Sequence, residues 1–246
     1  MTLRSASAVC ALPALLLAIS TMASAKQSGK TVDSGSFGIY INGQRVATER
    51  FSIEQTATGS TIDSQLHEEG ANQKAAQNSR MQVTAQGELL RYEWHELTPE
   101  KLDLELLPKE EFLIERVMMN PGEKAIEQPF LLPSSTVVLD NNFFIHRELL
   151  AWRYLAQSCK QDAGKFQCVS GPISFGVVVP QGRSSLRISI EPVGREKIQV
   201  GGKERELARF TLKSEDNEWS MWLDDQDHFK VVKIAIASDK TEVVRD

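Results

Sequence analysis

Histidine and cysteine are scarce in this chain, with four of one and three of the other in 246 residues. His67, His95, His146 and His228 are scattered, and no H-x-x-x-H or H-E-x-x-H spacing pairs them for a metal. His95 shares a strand face with Glu93, and a third ligand could come from elsewhere, but the favoured reading is a solvent-facing strand residue. His146 reads as the polar edge of a helix. There is no G-x-S-x-G elbow, no S-x-x-K with its companions and no phosphate loop. "VGGKERE" has the glycines and the lysine without the Walker spacing. "DDQD" at Asp224 to Asp227 lacks the alternating ligands and closing Glu of a calcium loop, and reads as a charged hairpin turn. Neighbouring acids such as Glu110 and Glu111 are ordinary where 25% of residues are charged. The sequence therefore nominates no catalytic residue, no metal ligand and no cofactor, and the expectation is a protein that is not an enzyme. An envelope hydrolase stays as a third alternative, resting on compartment alone. Clustered Lys and Arg are also missing, and the formal net charge is −5, which excludes a nucleic-acid partner.

Long apolar runs are absent except at the start. Arg4 is the single charge before Lys26, Val9 to Ile19 is apolar, and "ASA" at Ala23 to Ala25 offers small residues around a cut. This three-part layout is that of a secretory signal peptide over residues 1–25, cleaved after Ala25. The run is well short of the ~20 residues that span a bilayer. The expectation is an exported protein, periplasmic or secreted, that is not transmembrane after cleavage. Removing 25 of the 246 residues leaves 221, enough for one large core. Residues 26–35, small and polar, read as a flexible leader, with a single domain over 36–246.

Cys159 and Cys168 remain after cleavage. An even count in an exported chain reads as a disulfide. A metal pair would need more ligands nearby, and a redox pair favours the tighter C-x-x-C spacing.

What is present in quantity is hairpin grammar. Asn42-Gly43 lies between β-forming runs and supplies the two positive-φ positions of a type I′ turn. Two residues of loop would pair Ile41 with Gln44, Tyr40 with Arg45 and Ile39 with Val46. Phe51 and Ile53 are then out of phase with Val46, which calls for a bulge between Ala47 and Arg50. Short alternating strands follow, with turns at Gly59-Ser60, Gly87-Glu88, Asn120-Pro121-Gly122, Gln181-Gly182 and Gly201-Gly202. Such spacing predicts an antiparallel meander with one buried face. One segment has helical period instead, Phe143–Gln157, with Asp140 or Asn141 as its cap. Ile145, Leu149, Trp152 and Ala156 form a stripe there, with Phe144, Ala151 and Leu155 beside it and Leu150 and Tyr154 widening it. His146, Arg147, Glu148 and Arg153 fill the narrower polar sector. A helix this apolar should be mostly covered, and it is the one good cover for the sheet.

"EWSMWLDD", "HFKVVKIAI" and "TEVVRD", with "STVVLDNNFFIHRELLAWRY" and "YINGQRVATERFSI", resemble exported bacterial proteins in the broad group of the periplasmic lipoprotein carriers LolA and LolB. The resemblance spans most of the chain by loose pattern and carries over no single functional residue. It implies a mainly β, α+β fold: a curved, half-open antiparallel β-barrel with one main helix in or over its concave face. It also implies a hydrophobic ligand, such as a lipoprotein acyl chain, in that concavity. Phe112, Ile114, Trp219 and Met221 would line the sheet, and Phe144, Leu149, Trp152 and Leu155 would form the lid. The alternative is a structural module with a dry core that meets an envelope protein partner through edge strands.

Overall fold

A computed structural model describes residues 29–70, 75–99, 101–119, 124–133, 135–162, 165–169 and 171–246. The signal-peptide reading of 1–25, the first residues of the leader and the Asn120-Pro121-Gly122 turn lie outside these. The first half of the chain forms β1 (Lys30–Ile41), β2 (Gln44–Gln55), β3 (Gly59–Glu68), β4 (Ala76–Thr84), β5 (Leu89–Thr98), β6 (Asp103–Lys109), β7 (Phe112–Met118) and β8 (Ile126–Pro133). The second half forms β9 (Val137–Val138), helix α1 (His146–Ser158), β10 (Cys159–Asp162), β11 (Lys165–Cys168), β12 (Ile173–Val179), β13 (Ser184–Val200), β14 (Lys203–Lys213), β15 (Glu218–Asp224), β16 (Lys230–Ile236) and β17 (Thr241–Arg245).

Fifteen strands make one sheet in the order β8-β7-β6-β5-β4-β3-β2-β1-β17-β16-β15-β14-β13-β12-β9, while β10 and β11 pair separately. The fold is mainly β with one helix, and the meander is as the turn spacing predicts. The sheet is not closed into a barrel. At the centre β1 pairs antiparallel with β17 (Phe37 opposite Arg245, Ile41 opposite Thr241); a seven-step meander runs outward from β1 to β8 and a five-step one from β17 to β12, with β9 added parallel to β12 at the edge. The expected leader is shorter than its composition suggested. Lys30 already pairs with Gln55 and Gly35 with Phe51, so the sheet begins at Lys30.

Turn chemistry fixes the register. Asn42 and Gly43 have φ of 52° and 78°, and Gly201 and Gly202 have 59° and 75°, the pair of left-handed residues that lets a two-residue loop follow the strand twist. The expected bulge is present but sits earlier. Tyr40 pairs with Arg45 and Ile39 with Ala47, which leaves Val46 as the extra residue. That step brings Ala47, Glu49, Phe51 and Ile53 onto one buried face. At Gly59 a Cβ would lie 2.0 Å from the Val83 carbonyl oxygen, so only glycine lets β3 pass β4 there.

A flat sheet of fifteen strands would be about 67 Å wide, and a 13-residue helix only about 20 Å long. Yet one continuous apolar cluster takes residues from every strand of the sheet, β8 through half-buried Phe130 and Leu132, together with Leu150, Ala151, Tyr154 and Leu155 of α1. The sheet therefore bends around the helix. Its edges approach each other at one point, because only residues 134–136 separate β8 from β9. Arg183, in the turn after β12, spans the same gap with an ion pair to buried Glu115 of β7 at 2.8 Å. A smaller cluster of Leu207, Trp222 and Val232 packs separately from the main core.

The helix differs from its expected form in two ways. It starts at His146, and Ile145 occupies the cap position without any side-chain hydrogen bond. Asp140 is not the cap; its Oδ1 accepts the Asn142 N–H at 2.7 Å in a local turn. The polar residues His146, Arg147 and Glu148, expected at a solvated edge, are buried. Leu149 and Trp152, expected at the centre of the covered stripe, are half-buried.

Candidate functional site

The reversal of the helix follows from the strands beneath it. Glu49, fully buried on β2, accepts the N–H of Phe144 at 2.7 Å and of Ile145 at 3.3 Å, and the Ser64 hydroxyl at 2.8 Å. A carboxylate thus occupies the positive end of α1, supplied by the sheet. Burial nevertheless pushes its pKa up to about 7, against the lowering effect of these bonds and of Arg147. Arg147 donates from Nη1 to the carbonyls of Asp140 (3.2 Å) and Phe143 (3.3 Å) and lies over the Phe144 ring at 4.6 Å. Its own pKa is held down to about 10 by burial.

Asp140 accepts from the Tyr92 hydroxyl and the Gln181 amide. Its backbone N–H donates to His146 Nδ1 at 3.3 Å. That bond places the ring hydrogen on Nε2, which has no partner. Burial and then Arg147 hold His146 down to about 3, so the ring is neutral. Two residues further along the helix, Glu148 accepts the Val231 N–H at 2.7 Å. Arg245 grips Asp33 through both terminal nitrogens, at 3.0 and 2.5 Å, and reaches Glu148 at 3.5 Å. Burial, then Asp33, raises Glu148 well above its ordinary value. Tyr92, Asp140 and His146 resemble an acid–base set in composition only. None of them lines either of the two cavities that follow; their bonds join β5 to the segment that leads into α1 and to its first turn.

The larger cavity, about 920 Å³, lies beside the exposed flank of α1. Its floor is apolar: Met81, Val83, Leu89, Val138, Leu155 and Phe229 are all buried. Half-buried Leu149 and Trp152 form the helix side. Trp152 donates its indole N–H to the His228 carbonyl at 2.9 Å, which ties the helix to the turn 225–229. The "DDQD" segment is that turn, as expected, and it borders the opening. A second cavity of about 370 Å³ lies between Leu132–Pro133 at the end of β8 and the β12–β13 hairpin.

The residues expected to bind ligand divide accordingly. Leu149, Trp152 and Leu155 line the larger cavity; Phe144 is buried outside its lining. Trp219 and Met221 belong to the packed core. Phe112 is exposed and Ile114 half-buried, because β7 turns the other set, Leu113 and Glu115, inward. The floor residues of β4 and β5 were overlooked, although Met81, Val83 and Leu89 are spaced for a common face across one hairpin. The Cys159–Cys168 disulfide is present, with the two residues directly paired across β10 and β11. Cys159 is the C-terminal cap of α1 and lines the cavity, so the bridge fixes the helix end at the site. His95 contacts Asp103 at 2.7 Å rather than Glu93. Among the described residues no group of three or more His, Cys, Asp or Glu could hold a metal ion, and no helix is long and apolar enough to cross a membrane.

Comparison with family models, with curated proteins and with solved structures yields no match to this chain.

Proposed function

We propose that this protein is an exported, non-enzymatic binder of a hydrophobic, acyl-type ligand in the cell envelope, built as a half-open β-barrel of the lipoprotein-carrier kind. The observation that carries the reading is the cavity of about 920 Å³ with its apolar floor, within the ~300–1,000 Å³ typical of small-ligand sites. A dry interior would have favoured a purely structural module. The N-terminal export pattern and the near approach of the two sheet edges support the same reading. Affinity comes from burying ligand methylenes, each worth ~0.8 kcal/mol, against Met81, Val83, Leu89, Leu149 and Leu155.

A second reading, an interaction module, draws on the free edge. Leu131 and Ile126 of β8 are 76% and 55% exposed. Against it, Pro129 and Pro133 remove two backbone donors from that strand, a common guard against strand addition. Native mass spectrometry of protein purified from its own host, with extraction of bound lipid, tests the leading reading. A co-purifying acyl compound is the expected result. The absence of any such compound, together with failure to bind a neutral polarity-sensitive dye, removes it.

A further inference from the structure

Five charged side chains line the larger cavity, and they are not equally satisfied. Asp225 is paired with Arg195. Asp227 and Lys230 pair with each other at 2.8 Å, and Lys230 also lies 3.8 Å from Asp33. Two cations remain. Lys30 is exposed at the rim, with no carboxylate within ion-pair distance among the described residues. Arg153, on α1, donates only to the carbonyls of Gly87 and Ser135, each at 3.3 Å. Its Nε is buried and has no acceptor.

We infer that the ligand is an anionic amphiphile: an acyl chain on the apolar floor with a carboxylate or phosphate head at Arg153 and Lys30. This rests on the cavity reading above and goes further, by naming the head group. Both unneutralised charges of the lining are positive in a chain whose formal net charge is −5, so the bias is local to the cavity. A guanidinium presents donors in a fixed fork that matches an oxyanion, and the Nε of Arg153 has no acceptor within the protein. Desolvation lowers the pKa of Arg153, with Glu88 opposing only through space. An anion seated there relieves that cost. A neutral hydroxyl head can accept a hydrogen bond but brings no charge to offset the guanidinium, and its bond is the weaker for it.

The test compares three ligands with the same twelve-carbon chain, laurate, dodecyl phosphate and dodecanol, as displacers of a neutral dye from the purified protein at pH 7.5 and low salt. Laurate or dodecyl phosphate should displace the dye at least tenfold more effectively than dodecanol, and which of the two leads identifies the head. Arg153→Gln should reduce that ratio to threefold or less, and Lys30→Gln should reduce it partially. Equal displacement by all three in the wild-type protein overturns the inference while leaving the cavity reading intact. So does a ratio unchanged by Arg153→Gln. If neither dye nor laurate binds, both readings fall together. The wild-type comparison needs no variant to fold.

Discussion

The Glu49 carboxylate receives the Phe144 N–H at 2.7 Å across a sequence separation of 95 residues. No side chain of the helix's own segment caps it, so a strand residue performs the task that Ser, Thr, Asp or Asn usually perform locally. Glu49→Ala strands two backbone N–H groups in the core and leaves the Ser64 hydroxyl only the Arg50 carbonyl, at 3.3 Å. The expected loss is about 3 kcal/mol of unfolding free energy, measured by urea denaturation. A loss under about 1 kcal/mol would mean the helix does not depend on this seat.

The same residue gives stability a pH dependence of defined sign. Its folded-state pKa is raised from 4.5 to about 7. Its contribution is therefore complete below pH 4.5 and is lost as pH rises through 7, by on the order of 3 kcal/mol. His146 slopes the other way: with a folded value of about 3 against 6.5, its contribution is present above pH 6.5 and is lost as pH falls toward 3. The two oppose each other between pH 4.5 and 6.5, so the wild-type curve alone is uninformative. Subtracting the Glu49→Gln curve isolates the carboxylate, and the difference should decline from pH 4.5 to 7. A flat difference would show that Glu49 is ionised in the fold throughout.

Gly59→Ala should destabilise by about 2–3 kcal/mol, because the new methyl group meets a backbone oxygen rather than a movable side chain. Amide exchange should rise first in β3 and β4. Unchanged stability would require those two strands to separate freely at this point.

Replacing Cys159 and Cys168 with Ser should cost about 2–3 kcal/mol and preserve the fold, since the closed loop is short. Circular dichroism and thermal melting read both effects. Free-thiol titration of unfolded, unreduced protein should find neither cysteine reactive.

Trp152 is the one tryptophan of four that lines the larger cavity. A brominated acyl chain should quench part of the wild-type fluorescence and none of the emission of Trp152→Phe. Quenching that persists in the variant would place the ligand elsewhere.

Local signals were legible in this sequence and remote ones were not. Asn42-Gly43 and Gly201-Gly202 dictate their turns through backbone sterics alone. Cys159 and Cys168 find each other across a nine-residue separation. The face of α1 was misread because its polarity is compensated from afar: Glu49 and Arg245 make burial of the 146–148 segment tolerable, and neither lies near it in sequence. The phase of β7 was misread for a related reason. Glu115 is turned inward against Arg183, and a buried acid looks like a surface residue until its partner is known. The β4–β5 hairpin contributes one part of the cavity that spacing does reveal, but β1, β9, α1 and the turn before β16 join it from segments that no spacing rule connects.

The pairing of β1 with β17 has a consequence for the order of assembly. Each meander can form from sequence neighbours, but the seam between them needs strands two hundred or more residues apart. Asp33 waits 212 residues for Arg245. Until β17 docks, β1 presents a bare edge on the N-terminal half, with Phe37 and Ile39 uncovered, and such edges invite mispairing. Contacts of this range also close slowly. A circular permutant that joins residue 246 to residue 30 through a short linker and opens at 134–135 would make the seam a local hairpin. It should refold faster than the natural order, with the zipper of the molecule closed first instead of last.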